Sequence, residues 1–153
     1  MSETPTHVIH QHWSGSTASE YTMASTATAR LDSKPPIPTS VPADMGGDDG
    51  RWNPEDLFGA ALSTCFMYTF LALAKKVRID VRAYDDTLSL DLITEDRHTR
   101  ITRAVVAPTI TLAPGSSVSK ATTMFEKSHK YCIIANSTSA EVVLQPQFVV
   151  AEA

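Results

Sequence analysis

The chain has 153 residues, enough to bury a hydrophobic core without disulfide or metal staples. Its 17 acidic against 13 basic side chains give a formal net charge of -4, and the lysines and arginines are scattered. That excludes the clustered basic face on which nucleic-acid binding is built. Met1 to His7 has neither a basic n-region nor an apolar run, so the expected compartment is the cytoplasm. There Cys65 and Cys132 rest as thiols, and a disulfide between them would be transient and redox-active rather than structural.

Thr6 to Trp13 is β-prone, and Ser14-Gly15-Ser16 supplies a turn. His10 and His12 share one strand face, but no Cys, Asp or Glu beside them completes a metal set, so they read as surface histidines. Ser19 to Leu31 alternates as an exposed strand does. Residues 33–52 hold four prolines and the run Gly46-Gly47-Asp48-Asp49-Gly50, which predicts an irregular loop of the kind that carries lids and functional segments. The loop delivers Arg51 and Trp52 to the start of the next element.

That element is the centre of the sequence. Asn53 is a good N-cap, Pro54 suits the first helical position, and Glu55 and Asp56 lie where the positive helix end favours carboxylates. From Leu57 to Ala74 apolar residues fall on every side, which predicts one helix over 54–75 wrapped by other structure. Lys75 and Lys76 close it with the charge the C-terminal dipole favours. Its length would cover about 30 Å of bilayer. Gly59, Ser63, Thr64 and Thr69 lower its hydropathy, however, and the rest of the chain alternates like soluble sheet, so no membrane partner is expected.

Val77–Tyr84, Thr87–Thr94 and Thr99–Leu112 form period-two segments, read as an antiparallel meander. Ser117 or Ser119 caps a second helix through about Lys130, with Val118, Ala121, Met124, Phe125 and Ser128 on one face and Cys132 at its end. Ala140 to Val150 closes as a strand in which Pro146 marks an edge or a bulge. No internal repeat, Gly-rich nucleotide loop or paired-cysteine metal motif occurs, so no cofactor is expected. The pattern predicts one α+β domain over 1–153.

The residues able to carry chemistry are Cys65, Cys132, Glu55, Arg51 and His129. A cysteine inside an apolar helix is more often inert core than nucleophile, because burial keeps it protonated. Cys65 also lies twelve residues past the cap, beyond the reach of the helix dipole. A working thiolate there requires another stabilising group.

Asn53-Pro54-Glu55-x-Leu57-x-x-Ala60-x-x-x-x-Cys65-Phe66 resembles the helix motif of the OsmC/Ohr family of bacterial thiol peroxidases. Lys127-Ser128-His129-Lys130-Tyr131-Cys132 with Asn136, His12-Trp13-x-Gly15, and Ala140-Glu141-Val142 are similar to further stretches of that family, so the resemblance spans nearly the whole chain. It implies an α+β fold of antiparallel sheets around a long buried central helix, assembled as an intertwined homodimer with active sites at the subunit interface. It also implies that Cys65 attacks an organic hydroperoxide and becomes a sulfenic acid, that Cys132 resolves it, and that a dithiol such as a lipoylated protein reduces the disulfide. Glu55 matches the glutamate that holds an arginine over the sulfur. The family's arginine is absent from Ser14-Gly15-Ser16-Thr17-Ala18, the matching loop position carries Met45 or a neighbour, and Arg51 is the nearby cation. Ile133 stands where a proline commonly follows the second cysteine. Glu55 and Cys65, ten residues apart, lie about 15 Å from each other along a straight helix, so they share one site only if the helix breaks or the glutamate serves across an interface. The alternative function is a non-catalytic dimer of the same fold that binds a small apolar ligand or partner, with its thiols merely buried.

Overall fold

Proline does not prevent a strand from forming at a sheet edge, where no ladder hydrogen bond is lost. The computed structural model, which describes residues 8–12, 27–31 and 33–153, uses this at Ile37–Thr39 (β3). That strand pairs antiparallel with Ala27–Arg30 (β2), which pairs in turn with His10–His12 (β1). The loop expected over 33–52 is therefore more ordered than its composition suggests. A 3-10 turn at Ala43–Met45 ends on Gly46 with φ of 86°. Gly47 then passes so close to Val41 that a Cβ would lie 1.8 Å from the Val41 carbonyl oxygen, which only glycine permits. Asp48 ties the loop's end: its amide donates to Ser40 Oγ at 2.9 Å and its carboxylate accepts from the Gly50 amide at 2.9 Å. The expected turn at Ser14-Gly15-Ser16 and the strand residues before Ala27 lie outside the described residues.

The described residues group into two compact units, one ending at Leu57 and one beginning at Phe58. The central helix (α1) runs unbroken from Pro54 to Lys76, and its cap is reciprocal. Asn53 Oδ1 accepts from the Asp56 amide at 2.8 Å while Asp56 Oδ2 accepts from the Asn53 amide at 3.2 Å. Although α1 is long and apolar enough to cross a membrane, the stripe Leu62, Phe66, Phe70 and Ala74 is buried in the core. The opposite stripe, Ala61, Thr64, Tyr68 and Ala72, is exposed, so within this chain the helix is covered on one side rather than wrapped.

What covers it is a long hairpin. Val81–Glu95 (β4) and His98–Leu112 (β5) pair antiparallel around Asp96 and Arg97, both at positive φ (49° and 65°), as a two-residue turn matching strand twist requires. The two segments expected at 77–84 and 87–94 are thus one strand beginning at Val81. Asp85-Asp86 reads as a break in sequence, but the Asp86 carboxylate is absorbed by hydrogen bonds from Ser63 on α1 at 2.5 Å and the Ala107 amide at 3.1 Å. Along β5 the alternation is strict, with Ala104, Val106, Pro108, Ile110 and Leu112 buried.

Ser117 caps the second helix, Val118–Tyr131 (α2), by accepting from the Lys120 amide at 3.2 Å. Its apolar face sets Phe125 between Phe66 and Phe70, with ring centroids 5.0 and 5.4 Å away. The closing strand divides at Pro146 into Glu141–Leu144 (β6) and Gln147–Val150 (β7), both parallel to β5 on the edge that β4 leaves free. The sheet is therefore mixed, with an antiparallel core and a parallel border.

Candidate functional site

Helix α1 carries Cys65 next to the buried Phe66, and the C-cap of α2 carries Cys132, so the packing of Phe66 on Phe125 draws the two thiols together. Cys132 is fully buried, and Cys65 is half-buried. The Thr69 hydroxyl, one turn along the helix, donates to the Cys65 carbonyl oxygen at 2.8 Å. Burial pushes the Cys65 thiol up and is the largest single influence, but the surrounding polar groups, first the Ile134 backbone, then Cys132, the Ile133 backbone and Thr69, together outweigh it. Cys65 is held below the ordinary thiol range, and every group that lowers it is neutral.

Cys132 behaves oppositely. Burial pushes its thiol up to about 11, the Cys65 sulfur adds to the rise, and the amides of Ala135 and Ile134 oppose it. The Ala135 amide lies 3.4 Å from Cys132 Sγ. The two thiols are thus shifted in opposite directions. As pH rises, alkylating reagents should modify Cys65 well before Cys132, which mass-resolved labelling checks; simultaneous labelling would contradict the asymmetry.

Tyr84 on β4 faces this pair from the sheet. Its hydroxyl is buried without a hydrogen-bond partner among the described residues, and burial, then the Asp86 and Cys132 charges, raise it far above the ordinary phenol range. Beside Thr69 a groove of about 510 Å³ opens, lined by Tyr68, Thr69, Ala72, Leu73, Lys76 and Tyr131. Its walls are mainly apolar, and the lining residue Thr69 donates its hydroxyl to the Cys65 carbonyl.

The other sequence candidates belong to other surroundings. Glu55, in the first turn of α1, has a buried Oε2 with no hydrogen-bond partner among the described residues. Arg51 pairs through Nε with Asp48 at 3.2 Å. His129 sits half-buried in the last turn of α2, where a cation suits the helix dipole. No cluster of three metal-ligating side chains occurs among the described residues. Sequence reasoning missed Thr69, Tyr84 and the Ile133 and Ile134 amides; the Thr69 spacing of four from Cys65 was the available signal, since it places both on one helix face.

Known proteins agree with this architecture. An OsmC-like protein of unknown function from Vibrio cholerae is 28% identical, covers 94% of this chain and 99% of its own, and superposes with a TM-score of 0.82. An organic hydroperoxide resistance protein from Elizabethkingia anophelis shares the fold at 20% identity and a TM-score of 0.70, covering 97% of this chain and 100% of its own. OhrB of Bacillus subtilis, an organic hydroperoxide resistance protein, does so at 19% identity and a TM-score of 0.62, covering 94% and 98%. No match was found among curated proteins. A family model described as OsmC-like protein matches residues 46–147, from the loop before α1 to the first residue of β7, and the chain therefore belongs to the OsmC-like family.

Proposed function

We propose that this protein is a cysteine-dependent peroxidase that reduces organic hydroperoxides. The observation that carries this reading is the thiol pair itself: two cysteines on elements joined by the packing of Phe66 on Phe125, one lowered and one raised in pKa, near an apolar groove. The Cys65 thiolate attacks the terminal peroxide oxygen, the O–O bond breaks, and the alkoxide takes a proton and leaves as an alcohol. Cys65 is then a sulfenic acid. Cys132 loses its proton and attacks that sulfur, forming the disulfide as the oxygen leaves as water. An external dithiol, with a lipoyl group as the expected class, restores both thiols by exchange.

Family membership supports a role in peroxide resistance, and the names of the two hydroperoxide resistance proteins point the same way. The exposed stripe of α1, with Tyr68 64% exposed and Tyr131 56% exposed beside it, supports a homodimer in which a second copy covers this face. In that assembly Glu55 and Arg51 act at the partner's thiol, as carboxylate and cation. Light scattering should give twice the chain mass at micromolar concentration; a monomer would remove the dimer from this reading.

The decisive experiment is peroxide consumption by the reduced chain with a dithiol, using cumene hydroperoxide and hydrogen peroxide in parallel. Turnover with the bulky peroxide favoured, and a Cys65–Cys132 disulfide in the oxidised protein, are expected. Absence of turnover with thiols intact would favour the non-catalytic binding dimer. Arg51→Ala should slow peroxide attack while changing stability by no more than about 1 kcal/mol, because its pair with Asp48 is partly exposed. Unchanged turnover would return Arg51 to a role in the loop alone.

A further inference from the structure

Lysines and arginines that are scattered in sequence gather in the fold where α1 ends. A cavity of about 470 Å³ opens there, and Arg78, Asp80, Arg82, Ser116, Ser117 and Lys120 are among the residues lining it. That volume lies in the range of small-molecule sites. Its three cations come from three places: Arg78 from the residues just after α1, Arg82 from β4 and Lys120 from the first turn of α2. A second cavity, of about 410 Å³, shares Arg78 and Asp80 and adds Lys75. Lys76, the last residue of α1, is about 16 Å along the axis from Cys65, so this cluster stands apart from the thiols.

The three cations are not equally committed. Arg82 brings Nη2 to 2.8 Å and Nε to 3.0 Å from Asp80 Oδ2, so that pair is neutral. Lys120 Nζ gives one of its protons to the Val77 carbonyl at 2.6 Å, a neutral acceptor that fixes the ammonium and leaves its charge unpaired. Arg78 makes no ion pair among the described residues. Its backbone has φ of 58°, its amide donates to the Lys75 carbonyl at 3.1 Å, and the Ile79 amide donates to the Ala74 carbonyl at 2.9 Å. Those paired bonds end a helix at a residue that is usually glycine, because an L side chain is crowded in the left-handed region. The helix dipole does not require an arginine there, since Lys75, Lys76 and Lys120 already serve that end. A guanidinium held at a glycine's position, unpaired and lining a cavity, has a use that offsets the strain.

The facing wall is a fixed turn. Pro114 and Gly115, the latter at φ of 77°, are closed by the Ser116 amide on the Ala113 carbonyl at 3.2 Å, and the Ala113 amide ties the turn to the Asp80 carbonyl at 2.9 Å. Among the described residues nothing lies within 4 Å of where a Cβ on Gly115 would stand, so this side of the cavity is open. We propose that the cavity is a phosphate-binding site in which Arg78 and Lys120 meet the charge of the anion. Two cations without an ion pair match the roughly two negative charges of a phosphate monoester at neutral pH. The guanidinium fork suits two oxygens of a tetrahedral anion, and the ammonium adds a point charge. Arg82, held by Asp80, borders the site. This site is independent of the peroxidase reading and binds its anion whether or not Cys65 turns over peroxide.

The test is isothermal titration calorimetry of the full reduced chain with inorganic phosphate and, separately, with phenyl phosphate, each at low and at raised sodium chloride. Saturable binding of one equivalent per chain is expected, weakened but not abolished by the salt. Tighter binding of phenyl phosphate assigns the site to a monoester, and equal binding assigns it to free phosphate; both support the site. Arg78→Gly should lose about tenfold or more in affinity, while its thermal unfolding midpoint without ligand rises, because glycine suits the left-handed position. Arg78→Lys, which keeps the charge and loses the fork, should fall between the two. Lys120→Gln should weaken binding as Arg78→Gly does; if it fails to fold because the Val77 carbonyl loses its partner, Arg78→Gly decides. Parent-like affinity in Arg78→Gly would overturn the site. So would the lack of saturable binding by either anion at low salt, or binding abolished by raised salt, which would mark an unstructured patch of surface charge.

Discussion

On the proposed peroxidase reading, Cys65→Ser is expected to abolish hydroperoxide turnover, with a loss of more than about a thousandfold, because a serine hydroxyl presents no anion at neutral pH. Cys132→Ser should behave differently. One equivalent of peroxide is consumed, the sulfenic acid on Cys65 finds no partner, and further peroxide carries it to sulfinic acid. Intact-mass spectrometry after stoichiometric and excess peroxide distinguishes these outcomes. Parent-like turnover by the Cys65 variant would refute the assignment of the nucleophile, and clean recycling by the Cys132 variant would refute that of the resolving thiol.

The second large effect is expected at Phe70. Its side chain is fully buried, and its ring meets Phe125 at 5.4 Å, Tyr84 at 6.2 Å and Phe148 at 6.4 Å, so it joins α1 to α2, the hairpin and the last strand at once. Phe70→Ala leaves a hole that no single neighbour can fill without deserting another contact. A loss of about 3–5 kcal/mol follows, against a total stability of about 5–15 kcal/mol for a domain. Urea unfolding checks it: the midpoint should fall steeply with the slope retained. A loss below about 1 kcal/mol would mean that these elements do not share one core.

Helix α1 was legible because several local signals agreed: Asn53 as cap, Pro54 at the first position, the acidic first turn and the closing lysines all mark the boundaries found. The cap of α2 at Ser117 and the break at Pro146 were legible for the same reason, since each depends on the chemistry of one residue. Asp85-Asp86 misled because a carboxylate inside a strand is normally a break. Only the tertiary partners, Ser63 and the Ala107 amide, make it an interior acceptor. The all-round apolar character of α1 suggested a wrapped helix, whereas one chain covers one stripe, and sequence does not say which molecule covers the other.

At the site, the two cysteines were proposed as a pair through their family-like spacing, while Arg51 lies against Asp48 and Glu55 has no hydrogen-bond partner among the described residues. The surroundings that shift Cys65 were not legible, because backbone groups carry no signature in residue type.

The mixed sheet has a consequence for a chain made from one end to the other. Once Leu112 has been synthesised, β4 and β5 can close their hairpin, but the far edge of β5 must wait for β6 and β7, which follow only after the whole of α2. During that interval a run of unpaired N–H and C=O groups stands beside Ala104, Val106, Ile110 and Leu112, the arrangement that invites pairing with a foreign strand. Helix α2 emerges next, and by settling Phe125 on Phe66 and Phe70 it shields the apolar face before the edge is sealed. The translation time between Leu112 and Val150 is therefore the window in which this chain is most exposed to misassembly.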